Sequence, residues 1–269
     1  MAKKNGGKYA LCIGINDYKG TGMDLSGCVN DANDWGKALD ARGFTVEALK
    51  DKQATRKGIV DGIKATLDQA KAGDSIVIQY SGHGSFVEDE NGDEADGTDE
   101  CICPQDIRDA GEITDDELFD LYGKRPSGSR LVVISDSCFS GTVSKVAKPA
   151  DNKLCNAAKF LPPQEFLSKR RFAKLGLRRA RRAASPPGRY AGLLLSASQD
   201  TETAADAYIA GKYHGAFTYF ALEALKSLPA GASYREWLAR IRKALPSRQY
   251  SQTPNLYGST SMKKWKVFA

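Results

Sequence analysis

Histidine is scarce in this chain, because only His83 and His214 occur among its 269 residues. No apolar run approaches the roughly 18 residues that a membrane-spanning helix needs, so we expect no membrane partner. The six cysteines contain no C-x-x-C pair and no cysteine–histidine cluster with zinc spacing, which argues against a structural zinc site. The apolar run at 9–15 is too short for a signal peptide, so we expect a cytoplasmic protein with reduced thiols.

The charge of the chain is concentrated in one segment. Residues 165–189 hold nine Lys/Arg and one acid, a net charge of +8, so the remainder of the chain carries −2 of the overall +6. A near-neutral body with one basic segment is typical of a solvated loop, and we expect no nucleic-acid partner. Binding of nucleic acid through residues 169–189 is the alternative.

Short apolar runs alternate with helical patterns along the chain. We predict five strands, at 9–15, 44–49, 75–80, 131–135 and 193–197. We predict helices at 24–41, 55–72 and 215–228, and a fourth that begins at the capping box Ser233–Glu236 and ends near Leu245. This alternation predicts an α/β fold with a mainly parallel central sheet flanked by helices. In such sheets the chemistry lies at the carboxyl ends of the strands.

Residues 142–189 interrupt this alternation with a stretch rich in Lys, Arg, Ala and Pro. So long a segment between strands is unusual inside a compact domain. We therefore predict three parts. Residues 1–150 form a larger part, residues 151–189 a basic flexible linker, and residues 190–269 a smaller part that completes the sheet and the site.

A histidine and a cysteine follow two of the predicted strands directly. His83 lies in a Gly-His-Gly turn after the third strand, and Cys138 comes directly after the fourth. A thiol needs a nearby base to act as a nucleophile at neutral pH, and a turn at a strand end exposes it. The alternative is a buried structural cysteine, which is the commoner situation for a free thiol.

The two turns belong to recognisable motifs, YSGHG at 80–84 and DSCFSG at 136–141. Together with YALCIGINDY (9–18), GCVNDA (27–32), SASQDTETAAD (196–206), HGAFTYFALEAL (214–225) and QTPNLYG (252–258), they resemble metacaspases and the prokaryotic orthocaspases. The resemblance implies a caspase-like (caspase-hemoglobinase) fold. It also implies a cysteine endopeptidase of peptidase family C14 in clan CD. Phe139 stands where many metacaspases carry His, and the QAC motif of animal caspases is absent.

The resemblance also implies roles for individual residues. His83 and Cys138 would be the catalytic dyad, and the backbone amides of Gly84 and Cys138 would bind the oxyanion. The side chains implied to bind an Arg or Lys before the scissile bond are Asp31, Asp136, Cys28 and Ser81. Without the resemblance, Asp31 fits an exposed helix acid, Asp136 a turn residue and Cys28 a core residue.

An enzyme with this preference carries candidate cleavage sites in its own basic segment. We expect self-cleavage between about 169 and 182, with Arg171, Lys174, Arg179 and Arg182 as candidates. A solvated tether or a docking patch for an acidic partner is the alternative.

Residues 88–100 contain eight acids, but their spacing does not fit an EF-hand loop. The resemblance to metacaspases implies that a calcium site, if present, would use Asp99, Asp115 and Asp116. Where a fourth acid is expected the chain has Lys145, which should weaken such a site. Asp115 and Asp116 also lie in a capping box, where acids favour a helix start. We expect no required cofactor, and calcium dependence is doubtful.

The expected partners are protein or peptide substrates with Arg or Lys before the scissile bond, and we expect a monomer. The alternative function is a non-catalytic caspase-like interaction module that binds partners through the same cleft.

Overall fold

The computed structural model describes residues 6–92, 94, 97–139, 157–178, 191–199 and 202–269. The strands within these residues are β1 (Lys8–Gly14), β2 (Thr45–Lys50), β3 (Ser75–Ser81), β4 (Gly84–Glu88), β5 (Thr98–Ile102), β6 (Ile113–Thr114), β7 (Arg130–Asp136), β8 (Ala157–Ala158), β9 (Leu193–Ser196), β10 (Ala205–Ile209), β11 (Lys212–Gly215) and β12 (Asn255–Tyr257). The helices are α1 (Cys28–Asp40), α2 (Arg56–Gln69), α3 (Ile107–Ala110), α4 (Asp115–Gly123), α5 (Lys169–Arg178), α6 (Ala216–Lys226), α7 (Tyr234–Ile241) and α8 (Thr260–Lys263).

A six-stranded sheet forms the centre of the fold, in the order β12-β9-β7-β3-β1-β2. The neighbouring strands run parallel except for the edge strand β12, which runs antiparallel to β9. The predicted mainly parallel sheet is therefore confirmed, and all five predicted strands lie in it. Strands from both sequence ends join this one sheet.

The inner strands of the sheet are covered on both faces, which explains why β1 and β3 contain continuous apolar runs, whereas the residues of the edge strand β2 are exposed or half-buried. On β3, Val77 packs into one apolar cluster with Trp35 of α1 and Trp237 of α7. Its neighbours Ile76 and Ile78 point to the other face, where they join a second cluster that includes residues of α2 and α4. The result is three layers with the sheet in the middle.

Two helix starts follow their sequence signals. The hydroxyl of Thr55 accepts the amide of Gly58 at the start of α2. Ser233 and Glu236 form the predicted capping box at the start of α7, which ends at Ile241, before the predicted end near Leu245. Such caps satisfy amides that have no partner within the helix.

Two small sheets, β4-β5-β6 and β11-β10-β8, were not predicted from the sequence. The second one includes Ala157 and Ala158, which lie within the predicted linker of residues 151–189. Residues 157–178 form β8, a 3-10 turn at Pro163–Glu165 and helix α5. A two-residue strand has no periodicity, so its pairing partner decides its structure. Across the described ranges, no helix combines the length and apolarity needed to cross a membrane.

Candidate active site

His83 and Cys138 occupy matched positions on neighbouring strands. β3 pairs with β7 so that Ser81 lies opposite Asp136. His83 lies two residues after Ser81, and Cys138 lies two residues after Asp136. Both side chains are buried. The parallel register therefore carries the imidazole and the thiol to the same edge of the sheet, as the strand-end motifs predicted.

The imidazole of His83 is held by a backbone carbonyl. Its Nε2 lies 2.6 Å from the carbonyl oxygen of Met23. A carbonyl can only accept, so Nε2 carries the proton and Nδ1 keeps its lone pair in the neutral ring. Nδ1 makes no hydrogen bond to the described residues. Burial lowers the pKa of His83 to about 4, against the opposing effect of the Met23 carbonyl, so the ring is neutral at pH 7.

The thiol of Cys138 lies against the main chain of Ala204. Sγ accepts the Ala204 amide at 2.6 Å, and the thiol faces the Ala204 carbonyl at 3.4 Å. Burial raises the pKa of Cys138 to about 12, and the Ala204 amide only partly offsets this. The Cys138 thiol is therefore protonated as long as it stays buried.

The two amides predicted to bind an oxyanion converge on one atom. The backbone N–H of Gly84 donates to the carbonyl oxygen of Lys159 at 3.0 Å, and that of Cys138 donates to the same oxygen at 3.1 Å. A side chain at position 84 would overlap the carbonyl of Cys138, so only glycine permits this approach. Paired amides aimed at one carbonyl oxygen have the geometry of an oxyanion hole.

The four predicted pocket residues surround the side chain of Lys159. Its Nζ lies 3.1 Å from Asp31 Oδ2, 3.1 Å from Asp136 Oδ1 and 2.8 Å from Ser81 Oγ. The Ser81 hydroxyl donates to Asp31 at 2.7 Å, and the Cys28 thiol lies beside Ser81. All these side chains are buried, so Asp31 is not the exposed helix acid of the alternative interpretation. Asp136 ends strand β7, and Cys28 also belongs to an apolar cluster, as its alternative role in the core predicts.

The charges in this pocket depend on one another. Burial would lower the pKa of Lys159, but Asp136 and Asp31 hold it well above its usual range. Burial raises the pKa of Asp136. Asp31 is also buried, yet Lys159, His214 and Ser81 hold its pKa below the ordinary value. The ammonium and the two carboxyl groups thus form one buried unit, and removing the ammonium would leave both carboxyl groups without a counter-charge.

Residues 190–269 complete the pocket with groups that the sequence did not single out. The amide of Gly215 donates to both oxygens of Asp31, and a side chain there would overlap Asp136 and Lys159. Thr218 donates to Asp136 Oδ2 through its amide at 3.0 Å and its hydroxyl at 2.7 Å. Both residues belong to the HGAFTYFALEAL motif, which was the available signal.

Asp206 is a further acid near this pocket that the sequence did not assign. Its Oδ2 accepts the amides of Ser26 at 2.6 Å and Gly27 at 3.2 Å, just before α1. Burial raises the pKa of Asp206 to about 6. Asp206 thereby fixes the start of the helix that carries Asp31.

The predicted metal ligands lie away from the pocket. Asp99 is on β5, whereas Asp115 and Asp116 open α4, where the Thr114 hydroxyl accepts the Glu117 amide. Burial, followed by the charges of Asp116 and Glu94, raises the pKa of Asp115 to about 7. Within the described ranges, no three Asp, Glu, His or Cys side chains are arranged to hold a metal ion. Lys145 lies outside the described residues.

Two of the four predicted self-cleavage residues lie in helix α5. Arg171 pairs with Glu112 at 2.5 Å, and Lys174 lies 3.9 Å from Glu88. Proteases bind substrates as extended strands, so cleavage after either residue would require this part of α5 to unfold. Arg179 and Arg182 lie outside the described residues.

Residues 8–147 match the family model for the metacaspase peptidase C14 domain. Metacaspase-1 of Cryptococcus neoformans is 32% identical over 96% of this chain and 64% of its own length. Metacaspase-1B of Neosartorya fischeri is 32% identical over 98% of this chain and 72% of its own length. The chain thus spans less than two thirds of the first of these relatives.

Solved structures give the same fold. A crystal structure of a Geobacter sulfurreducens protein matches with a TM-score of 0.72 and 32% identity, covering 97% of this chain and 98% of that one. Caspase-1 of Spodoptera frugiperda matches with a TM-score of 0.60 at 13% identity, over 99% of this chain and 90% of that one. The predicted caspase-like fold is confirmed.

Proposed function

The chain belongs to the metacaspase family, and on that premise we propose that it is a cysteine endopeptidase that cleaves after Arg or Lys. The observation that carries this proposal is the pocket around Lys159. Its two buried carboxyl groups and one hydroxyl already surround a lysine ammonium. The two predicted oxyanion amides bind the carbonyl of the same residue.

In the proposed mechanism, Nδ1 of His83 takes the proton of the Cys138 thiol. The Met23 carbonyl supports this role, because it keeps the proton on Nε2 and leaves the Nδ1 lone pair free. The sulfur attacks the carbonyl carbon of the residue in the pocket, and the amides of Gly84 and Cys138 stabilise the oxyanion. The imidazolium then protonates the leaving amine, and water hydrolyses the thioester. None of the acids near α4 takes part.

The pocket supports the preference for a basic side chain. Asp31 and Asp136 are held by Gly215 and Thr218, so their oxygens are already in place before a substrate binds. A guanidinium can bond two carboxylates through separate N–H groups, and an ammonium can bond both of them and Ser81. A substrate carboxylate would meet like charge in a buried site, which is unfavourable.

We also propose that the enzyme cleaves itself within residues 151–189. We further propose that it is a monomer and that it acts in the cytoplasm. Cys12, Cys28, Cys101, Cys103 and Cys138 are free thiols, which fits a reducing compartment.

The test compares wild type, Cys138→Ala and Cys12→Ala on fluorogenic peptides that end in Arg, Lys or Asp. We expect hydrolysis of the Arg and Lys peptides only, and a loss on the order of 10³-fold or more in Cys138→Ala. Cys12→Ala removes an equally buried free thiol from β1 and should keep the activity. Preference for Asp would refute the pocket assignment. Failure both to hydrolyse peptides and to react with a thiol-directed peptide probe would favour the non-catalytic module.

A further inference from the structure

Residues 157–161 run through the cleft as an extended chain, and we name them the internal segment. Before Lys159, Ala158 and Ala157 pair antiparallel with β10, and the Lys159 amide donates to the Ala204 carbonyl at 3.0 Å. After it, the Leu161 amide donates to the Gly84 carbonyl at 3.0 Å. Main-chain hydrogen bonds on both sides of one residue are how an extended peptide is bound in a groove.

Three features of Lys159 converge on a single peptide bond. Its side chain fills the acidic pocket, its carbonyl oxygen is held by the amides of Gly84 and Cys138, and its own amide is bound by Ala204. The carbonyl at the predicted point of attack is therefore that of Lys159, and the bond that follows it joins Lys159 to Phe160.

Building on the proposed function, we propose that the enzyme cleaves itself between Lys159 and Phe160, and that the uncut internal segment excludes other substrates from the cleft. The position lies within the predicted linker, outside the expected 169–182 range. No other Lys or Arg of the described linker residues has its carbonyl at the two amides.

The internal segment excludes other substrates because the side chain of Lys159 already fills the acidic pocket. The Lys159 side chain is fully buried, with 0% of it exposed to solvent. A lysine this deep is stable only with its charge paired, so an Arg or Lys from another chain must displace it to reach Asp31 and Asp136. The reactive thiol of Cys138 is covered as well, and its raised pKa reflects that burial.

The two sides of the bond are held unequally within the described residues. After the bond, Phe160 stacks on Phe86 with ring centroids 6.0 Å apart, Leu161 is fully buried, and the Ser85 hydroxyl donates to the Leu161 carbonyl. Before it, Ala157 and Ala158 of β8 are only half-buried. Cutting the bond separates the lysine from its anchored side, so that a substrate can then compete for the pocket.

The chemical step balances without any group beyond water. The sulfur of Cys138 bonds to the Lys159 carbonyl carbon as its proton passes to His83. The bond from that carbon to the Phe160 nitrogen breaks, and His83 returns the proton to this nitrogen. Water then cleaves the thioester, which leaves a carboxyl group on Lys159, an amino group on Phe160 and a free thiol.

The experiment follows intact mass and N-terminal sequence in four full-length proteins: wild type, Cys138→Ala, Lys159→Gln and Lys174→Gln. We expect wild type and Lys174→Gln to give fragments 1–159 and 160–269, with the new N-terminus Phe-Leu-Pro. Cys138→Ala should stay intact. Lys159→Gln should be cut at this position roughly 100-fold more slowly, because charge-assisted bonds to the pocket are lost. It should also hydrolyse an added Arg peptide without the lag that self-cleavage imposes on wild type.

Lys159→Arg and a synthetic peptide of sequence NAAKFLPP, residues 156–163, keep the test decisive if Lys159→Gln does not fold. The arginine variant should be cut at the same bond, and wild type should cleave the peptide after its lysine. Wild type that hydrolyses Arg peptides but is never cut after Lys159 would overturn this inference and leave the proposed function standing. Absence of any hydrolysis by any variant would overturn both.

Discussion

Two groups of acidic side chains in this protein differ in the sign of the charges that surround them. In the pocket, Asp31 and Asp136 are fully buried and share the ammonium of Lys159, at 3.1 Å from each. Near the start of α4, Asp115 has Asp116 and Glu94 as its charged neighbours, and burial and these charges raise its pKa to about 7. The first group is arranged for a cation that is present, whereas the second is a concentration of like charge.

The pocket shows that two acids suffice to hold a cation when their geometry is fixed. Residues 88–100 hold eight acids, yet the described ones gather no set of metal ligands. The pocket has only two, but Gly215 and Thr218 fix their oxygens in a buried space. Fixed geometry and low solvent exposure give a charge its specificity.

The largest expected effect comes from removing the shared cation. In a Cys138→Ala background, Lys159→Gln should lower the free energy of unfolding by about 3–5 kcal/mol, because it leaves two buried carboxyl groups without a counter-charge. Urea denaturation at pH 7 measures this. Lys174→Gln is the matched control, since its ion pair with Glu88 is 3.9 Å long and its side chain is 56% exposed, and it should cost about 0–1 kcal/mol. Equal losses in the two variants would contradict the comparison.

The next effect concerns substrate recognition. Asp136→Asn removes one pocket charge but keeps the shape, and should reduce kcat/KM for Arg and Lys peptides by roughly 100-fold. Glu90→Gln removes an exposed charge from residues 88–100 and should change kcat/KM by less than about 3-fold. Steady-state kinetics compares the two variants, with intact mass used to measure the fraction of each enzyme that has cleaved itself. If Glu90→Gln lost as much activity as Asp136→Asn, the acidic segment would have a role in recognition that we do not assign to it.

The smallest effect is a pH dependence at α4. The folded-state pKa of Asp115 is raised to about 7 by burial and by Asp116, so its contribution to stability is present at low pH and is lost as pH rises from about 4 to 7. The Asp115→Asn variant has no carboxyl group to ionise here, so it should be more stable than wild type at pH 8. We expect a difference of about 2 kcal/mol in the free energy of unfolding, a value already lowered to allow for solvent screening of a partly exposed group. At pH 4 the two proteins should differ little.

Thermal unfolding at both pH values, with EGTA and with added Ca²⁺, makes this measurement. We expect the difference between wild type and Asp115→Asn to persist in both conditions. Stabilisation of wild type by Ca²⁺ at pH 8 that is absent in Asp115→Asn would show that the acids near α4 bind calcium after all.

Much of the fold was predictable because the inner strands of the central sheet are largely buried. β3 is buried along its whole length and contains the apolar run Ile76–Ile78, which is typical of a buried strand in a parallel sheet. β8 and β6 have two residues each, and β12 has three. Strands so short have no sequence period, and they form only because a longer strand offers its edge.

The same division applies to the site. His83, Cys138 and the four pocket residues stand in motifs whose residue types suit their chemistry. Met23 could not be found, because it acts through its carbonyl and any side chain provides one. Lys159 could not be found either, because nothing in its neighbourhood distinguishes it from the other lysines of residues 151–189, whose basic residues are concentrated further along the chain.

The sequence by itself determined which side chains could act as nucleophile, base and acidic pocket, and that two of them follow neighbouring strands. Only the tertiary structure decided what occupies that pocket. Residues 128 positions apart, Asp31 and Lys159, meet there because α1 places Asp31 against Ser81 at the end of β3 and β10 holds the internal segment across the ends of β3 and β7. Such a contact depends on long-range strand pairing, and no local pattern of residues records it.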